Sequence, residues 1–152
     1  MSKIIFIFIL LISNMSKAEF FSNISDIIEN NDDRLSYGVS VTDFNKDGSY
    51  EFIVAGFGYP NLALSYNNGK LINTIQESIF VDKERNTIGV SACDINQDGF
   101  EEIYFLNTDT YSGEKKYSDR LLGNEQKIFD FFELEKNLAN LNLTAGRSVV
   151  CV

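Results

Sequence analysis

Short runs of apolar and polar residues alternate along most of this chain, and the runs fall into two matching sets. Tyr37–Phe44 (YGVSVTDF) is rich in β-branched and aromatic residues, and Phe52–Ala55 (FIVA) is a brief apolar run. Leu62–Tyr66 (LALSY) leads through Asn67-Asn68-Gly69 into KLINTI. An Asn-Gly pair between two such runs predicts a hairpin, because both central residues can take positive φ. Four short strands are thus predicted between residues 37 and 75. The pattern then restarts. Laying YGVSVTDFNKDGSYEFIV (37–54) on IGVSACDINQDGFEEIYF (88–105) matches eight of eighteen positions without a gap. The second set continues through EIYFL, a polar loop from Asn107 to Asp119 whose Lys115-Lys116 pair reads as a solvated tip, and RLLGNEQKIFD. There GNE is expected to turn the chain between two further strands. A period near 50 residues with four strands per unit predicts an all-β fold: a partial β-propeller of about two four-stranded blades.

The flanks are less regular. In Glu19–Arg34 the residues Phe20, Phe21, Ile24, Ile27 and Ile28 stand at roughly helical spacing, so a short helix or an extended lead-in is expected, broken at Asn30–Asp33. FFELEKNLANLNL (131–143) places Leu134, Leu138 and Leu141 at i, i+4 and i+7, which reads as a short helix or an ordered connector packing those leucines inward. AGRSVVCV (145–152) reads as the first strand of a third blade, cut where the next loop should begin. The expected division is 1–18 leader, 19–36 lead-in, 37–86 first blade, 87–130 second blade, and 131–152 connector with the start of a truncated third. Closed propellers have ~4–8 blades, and repeat folds need about three units to bury a continuous core. Residues 19–152 alone are therefore expected to fold poorly or to associate.

The first residues carry a different signal. Met1-Ser2-Lys3 is positively charged, Ile4–Ile12 is unbroken apolar sequence, and Ser16-Lys17-Ala18 has the small residues of a cleavage site. This is the layout of a secretory leader, cut after Ala18. A membrane span needs about 20 apolar residues, which neither this run nor any later one supplies. A secreted product with no membrane insertion after cleavage is expected. The net charge of −9 becomes more negative once Lys3 and Lys17 are removed, which disfavours nucleic acid and anionic membranes as partners. There is no histidine, which excludes imidazole-based triads and His-ligated zinc. Cys93 and Cys151 leave two readings open: a disulfide, which export permits, or two buried thiols in strands. Asn23-Ile-Ser and Asn142-Leu-Thr have the N-linked acceptor pattern.

The chemistry is concentrated in two loops, DFNKDGSYE (43–51) and DINQDGFEE (94–102). In the first, alternation lets Asp43, Asn45 and Asp47 turn three side-chain oxygens toward one point. Gly48 permits the sharp turn, Ser49 offers its carbonyl, and Glu51 closes the cage with a carboxylate. Asp94, Asn96, Asp98, the Phe100 carbonyl and Glu102 repeat the arrangement. Hard oxygens in this number suit Ca²⁺, which takes 6–8 of them at ~2.3–2.6 Å, better than the smaller octahedron of Mg²⁺. An EF-hand is excluded, because its twelfth position requires Glu and here is Val54 or Phe105, inside a predicted strand. The competing reading is an Asx-rich turn without metal. Recurrence of one ligand pattern at one place in a repeat favours the cage.

Gly-Val-Ser-x-x-Asp-x-Asn-x-Asp-Gly-x-x-Glu before an apolar strand resembles the FG-GAP/VCBS repeat of integrin α-subunit propellers, with Gly56-Phe57-Gly58 in place of the eponymous pair. LSYGVSVTDFNKDG, VAGFGYPNLAL, IGVSACDINQDGFEEIYFLNT and AGRSVVCV are more closely similar to the N-terminal part of the cartilage acidic protein family, across about residues 35–152. The resemblance implies a secreted, acidic, calcium-binding propeller protein of the extracellular matrix without catalytic activity. It also implies that the ten loop positions named above are the calcium ligands. Its members carry further repeats, an ASPIC/UnbV region and often an EGF-like domain, none within these 152 residues. Integrin repeats usually have Asp where Glu51 and Glu102 stand. The extra methylene allows bidentate or water-mediated ligation. The expected function is a non-enzymatic adhesion, matrix or ligand-binding module whose partner is an extracellular protein or matrix ligand. The alternative is the scaffold part of a secreted lyase or phospholipase with its catalytic residues downstream, and an integrin-like receptor ectodomain is a third reading.

Overall fold

The computed structural model describes residues 21–152. The expected leader, 1–18, and the start of the lead-in lie outside the described residues. Eight strands follow in order. They are β1 (Val39–Thr42), β2 (Glu51–Val54), β3 (Leu62–Asn67), β4 (Lys70–Asn73), β5 (Thr87–Cys93), β6 (Glu102–Asn107), β7 (Arg120–Asn124) and β8 (Ile128–Asp130). They form two four-stranded antiparallel sheets, ordered β1-β2-β3-β4 and β5-β6-β7-β8, so the chain is all-β in its sheets. The predicted hairpin stands between β3 and β4, with Asn68 at φ 49° and Gly69 at φ 84°. Among the described residues no helix is long and apolar enough to cross a membrane.

The register explains how the sheets meet. On β2, Glu51 and Ile53 point one way and Phe52 and Val54 the other. Ile53 and Ala63 face the second sheet and join Val90, Ile103, Phe105 and Leu122 in one buried core, closed by Phe44, Ile75 and Phe80. The first strands of the two sheets approach through their glycines. A Cβ on Gly38 would lie 3.1 Å from both Gly89 Cα and Val90 N, so any larger residue would have to push the two strands apart by a few tenths of an ångström. Nearby, the Ala92 N–H donates to Ser40 Oγ at 3.1 Å. The sequence pattern missed the piece that seals the joint, a short helix α1 (Ser78–Val81) between the sheets. It carries the fully buried Phe80, whose ring lies 5.4 Å from Phe105 and 6.0 Å from Phe44.

The structure corrects some expectations and narrows others. The GNE segment does not turn the chain: Gly123 and Asn124 are strand residues of β7, and the reversal falls on Glu125–Lys127. Gly123 is needed because the Phe129 and Phe131 rings lie where its Cβ would be, and Asn124 Nδ2 donates to Phe44 O at 2.8 Å. The lead-in forms one 3₁₀ turn, Ser25–Ile27, after which Ile28 bridges in parallel to Leu71 on the edge of β4. Residues 131–143 contain two 3₁₀ segments, Phe131–Glu133 and Glu135–Asn140, and leave Leu134 and Leu138 exposed and Leu141 half-buried, so the leucine stripe does not pack inward as a whole. AGRSVVCV does not pair as a strand; it lies across the second sheet, with Val149 against Gly89 and Gly146 against Leu106. Lys115 is not a solvated tip: it is buried against Asp119. Cys93 and Cys151 form a disulfide, with Cα atoms 5.8 Å apart, which decides the pairing the sequence left open.

The two sheets differ in one respect. The second is covered on its far face by the C-terminal segment. The first leaves Val39, Val41 and Phe52 at 61, 49 and 43% exposure. Of their repeat equivalents, Val90 and Ile103 are buried in the shared core and Ala92 is half-buried. The side chains are all apolar, but among the described residues one set has a neighbouring sheet and the other has none.

Candidate metal centres

Each acidic loop joins the first two strands of its sheet, so the antiparallel pair sets both ends of the loop. Within each, the carboxylates fold the chain around themselves. Asp43 accepts from the N–H groups of Asp47 (3.0 Å) and Gly48 (2.9 Å), Asn45 Oδ1 from Asp47 N–H (2.9 Å), and Asp47 from Ser49 N–H (2.8 Å). The second loop repeats every bond: Asp98 N–H and Gly99 N–H to Asp94 (3.1 and 3.0 Å), Asp98 N–H to Asn96 (2.9 Å), and Phe100 N–H to Asp98 (2.9 Å). Positive φ recurs at Lys46 and Gln97 (both 62°) and at Gly48 and Gly99 (87° and 89°). A second glycine-like residue is therefore required one position before each Asp, and Lys and Gln supply it at a cost in strain.

The two glutamates are buried beneath the loops. Glu51, 0% exposed, accepts from Phe44 N–H (3.0 Å), Asn45 N–H (3.4 Å), Asn45 Nδ2 (3.1 Å) and Ser65 Oγ (3.1 Å). Glu102 accepts from Ile95 N–H (2.9 Å) and Asn96 Nδ2 (2.9 Å). Among the described residues neither carboxylate has a Lys or Arg partner. Burial raises the Glu51 carboxyl above its ordinary value, and the bonds from Ser65, Asn45 and Phe44 offset only part of this. Buried charges are normally paired or metal-bound. Two equivalent buried carboxylates with neutral partners only are thus an electrostatic gap of the same kind in both repeats.

Among the described residues no three acidic side chains close on a single point. The reason is visible in the geometry. The neutral Asn45 amide nitrogen stands between Asp47 Oδ2 (3.0 Å) and Glu51 Oε1 (3.1 Å), and that of Asn96 stands between Asp98 Oδ2 (3.1 Å) and Glu102 Oε1 (2.9 Å). An N–H₂ group sits where acidic oxygens converge, doing weakly what a cation does strongly. A half-turn of that amide would present Oδ1 to the same point, giving up the bond Oδ1 accepts from the Asp47 or Asp98 N–H, and would make the donor set all oxygen, which fits a hard cation.

The sequence pattern missed three participants. Phe44 and Ile95 serve the glutamates through their main chains, which no side-chain pattern can signal. Ser65 lies directly across from Glu51 in the β2–β3 register, so the hairpin alignment alone could have found it. Lys46 of the first loop places its ammonium 4.0 Å from the centre of the Phe100 ring in the second, so the two loops touch.

Tandem four-stranded sheets, each opening with a glycine-led strand and an Asp-x-Asn-x-Asp-Gly loop closed by a buried Glu, define a class of repeat. A family model described as FG-GAP-like repeat matches residues 19–105, and the chain belongs to that family. It is also similar to cartilage acidic protein 1 of Mus musculus, Xenopus tropicalis and Homo sapiens. Each is 42% identical over 136 residues, covering 82% of this chain and 21% of the relative. The chain thus spans about a fifth of the length of the curated relatives it matches.

Proposed function

We propose that the chain is part of a secreted, calcium-loaded, non-enzymatic FG-GAP β-propeller that serves as an extracellular matrix, adhesion or ligand-binding module. The carrying observation is the pair of buried glutamates, Glu51 and Glu102, each at the end of a loop of the same geometry and each without a cationic partner among the described residues. Ca²⁺ is the ion proposed. Asp43, Asn45, Asp47, the Ser49 carbonyl and Glu51 would hold one ion, and Asp94, Asn96, Asp98, the Phe100 carbonyl and Glu102 the other. Bound there, the charge compensates carboxylates that the fold has already dehydrated and fixes the turn between the first two strands of each sheet.

The open face of the first sheet supports a longer array. Val39 and Phe52 match Val90 and Ile103, which are buried in the core shared by the two sheets one repeat later, so a further sheet of the same kind would cover them. On this reading 37–86 and 87–130 are blades, 131–152 leads into a third, 19–36 is a lead-in and 1–18 a removed leader. The partner proposed is an extracellular protein or matrix ligand, bound through loops at the ends of the sheets. Similarity to cartilage acidic protein 1 supports the extracellular setting.

Isothermal titration with Ca²⁺ tests the reading. Two ions per chain are expected, falling to one in Asp47→Ala or in Asp98→Ala. A wild-type chain that takes up no Ca²⁺ at millimolar concentration would overturn it.

A further inference from the structure

The two N-linked acceptor tripeptides are treated in opposite ways by the fold. Asn142 donates from Nδ2 to Asp119 Oδ2, and its Oδ1 accepts from Thr144 N–H at 3.0 Å. Asp119 is fully buried and is also bound by Tyr104 OH (2.7 Å), Asn107 N–H (2.7 Å) and the Lys115 ammonium. The main chain of the tripeptide is tied down as well. Leu143 O accepts from Lys115 N–H at 2.7 Å, Asn142 O from Asp119 N–H at 3.3 Å, and Thr144 bridges to Glu114. The nitrogen that would carry a sugar is therefore a working donor to a fully buried carboxylate, on a half-buried residue whose main chain is held at both carbonyls.

Asn23 is placed differently. It is exposed, and its Oδ1 accepts from Ser25 N–H (2.9 Å) and Ser25 Oγ (2.6 Å). Among the described residues its Nδ2 enters no hydrogen bond. The whole tripeptide is exposed and precedes the point, Ile28, where the lead-in first pairs with a strand.

We propose that Asn23 is the glycosylated asparagine of this chain and that Asn142 is a structural amide that stays unmodified. The proposal rests on the reading that the chain enters the secretory lumen. The reaction takes a polyprenyl-diphosphate-linked oligosaccharide as donor. The asparagine Nδ2 forms a bond to the anomeric carbon, the carbon–oxygen bond to the diphosphate breaks, the diphosphate leaves, and one amide proton passes to base. At Asn23 the product projects into water. At Asn142 the added ring displaces the amide from Asp119 and leaves the Oδ2 of that buried carboxylate with the Tyr104 hydroxyl as its remaining donor.

The test is site occupancy in protein secreted from eukaryotic cells. The chain is expressed once with its own residues 1–18 and once with them replaced by an established leader. Deglycosylation in ¹⁸O-water followed by peptide mapping marks each asparagine that bore a glycan. The expected result is label at Asn23 and none at Asn142, with Asn23→Gln losing the mass of one glycan. Thr144→Ala, which removes the acceptor pattern and keeps Asn142, should change neither mass nor melting temperature. Asn142→Ala should lower the melting temperature. A glycan on Asn142 in folded, secreted protein, or an unmodified Asn23, overturns the proposal. Secretion only with the replaced leader counts against the export reading and leaves the occupancy result standing.

Discussion

Replacing Glu51 with glutamine separates a metal ligand from a merely buried carboxyl, because the two roles predict effects of opposite sign. Gln has nearly the same shape and keeps one carbonyl for the Phe44 and Asn45 N–H groups. Without cation, burial raises the Glu51 carboxyl above its ordinary value of 4.5, so the folded chain holds that proton more tightly than the unfolded one. The associated stability is fully present below about 4.5 and is lost as pH rises through the raised value. Near neutral pH in chelator, Glu51→Gln should therefore be at least as stable as wild type. Calcium reverses the order. At 2 mM Ca²⁺ and a Kd of ~10⁻⁴–10⁻³ M, one loop contributes about 0.6–1.8 kcal/mol and two loops about twice that. At roughly 3–4 °C per kcal/mol for a domain of this size, wild type should melt about 4–13 °C higher in Ca²⁺ than in chelator, and Glu51→Gln should keep about half of the rise. Differential scanning fluorimetry in both buffers measures this. An equal calcium-induced rise in both proteins would refute the role of Glu51 as a ligand.

Three further outcomes are expected. Phe80→Ala, which removes the ring wedged between Phe44 and Phe105, should cost about 3–5 kcal/mol in urea unfolding, and a loss below about 1 kcal/mol would mean the sheets do not share that core. Gly38→Ala places a methyl 3.1 Å from backbone atoms of Gly89 and Val90, so about 1–3 kcal/mol should be lost by the same assay, and no loss would place the first strands farther apart. Residues 19–152 should self-associate through the open face of the first sheet, and light scattering should show Val41→Lys with Phe52→Asp to be more nearly monomeric. A monomeric parent would count against an unfilled interface there.

The repeat, its strands and the two loops were legible because each rests on local chemistry. β-branched runs favour a pleated backbone, Asn68-Gly69 can only turn, and Asp, Asn and Asp at alternate positions fold their own loop. Glycine at 48 and 99 answers to a positive φ that the loop imposes on itself. Local patterns were misleading where a distant partner decides. Gly123-Asn124 has the composition of a turn, yet two phenylalanine rings and the Phe44 carbonyl hold it in a strand. Lys115 belongs to a polar stretch, yet Asp119 and the segment around Asn142 bury it. The chain by itself thus determined the unit and the oxygen-rich loop within it. Only the tertiary structure decided that Glu51 and Glu102 are dehydrated, that Cys93 meets Cys151, that Phe80 seals the joint and that one sheet face is left open. Those properties depend on which surfaces meet between residues separated by 14 positions (Glu51 and Ser65) to 58 (Cys93 and Cys151), and burial and pairing are not encoded at any single position.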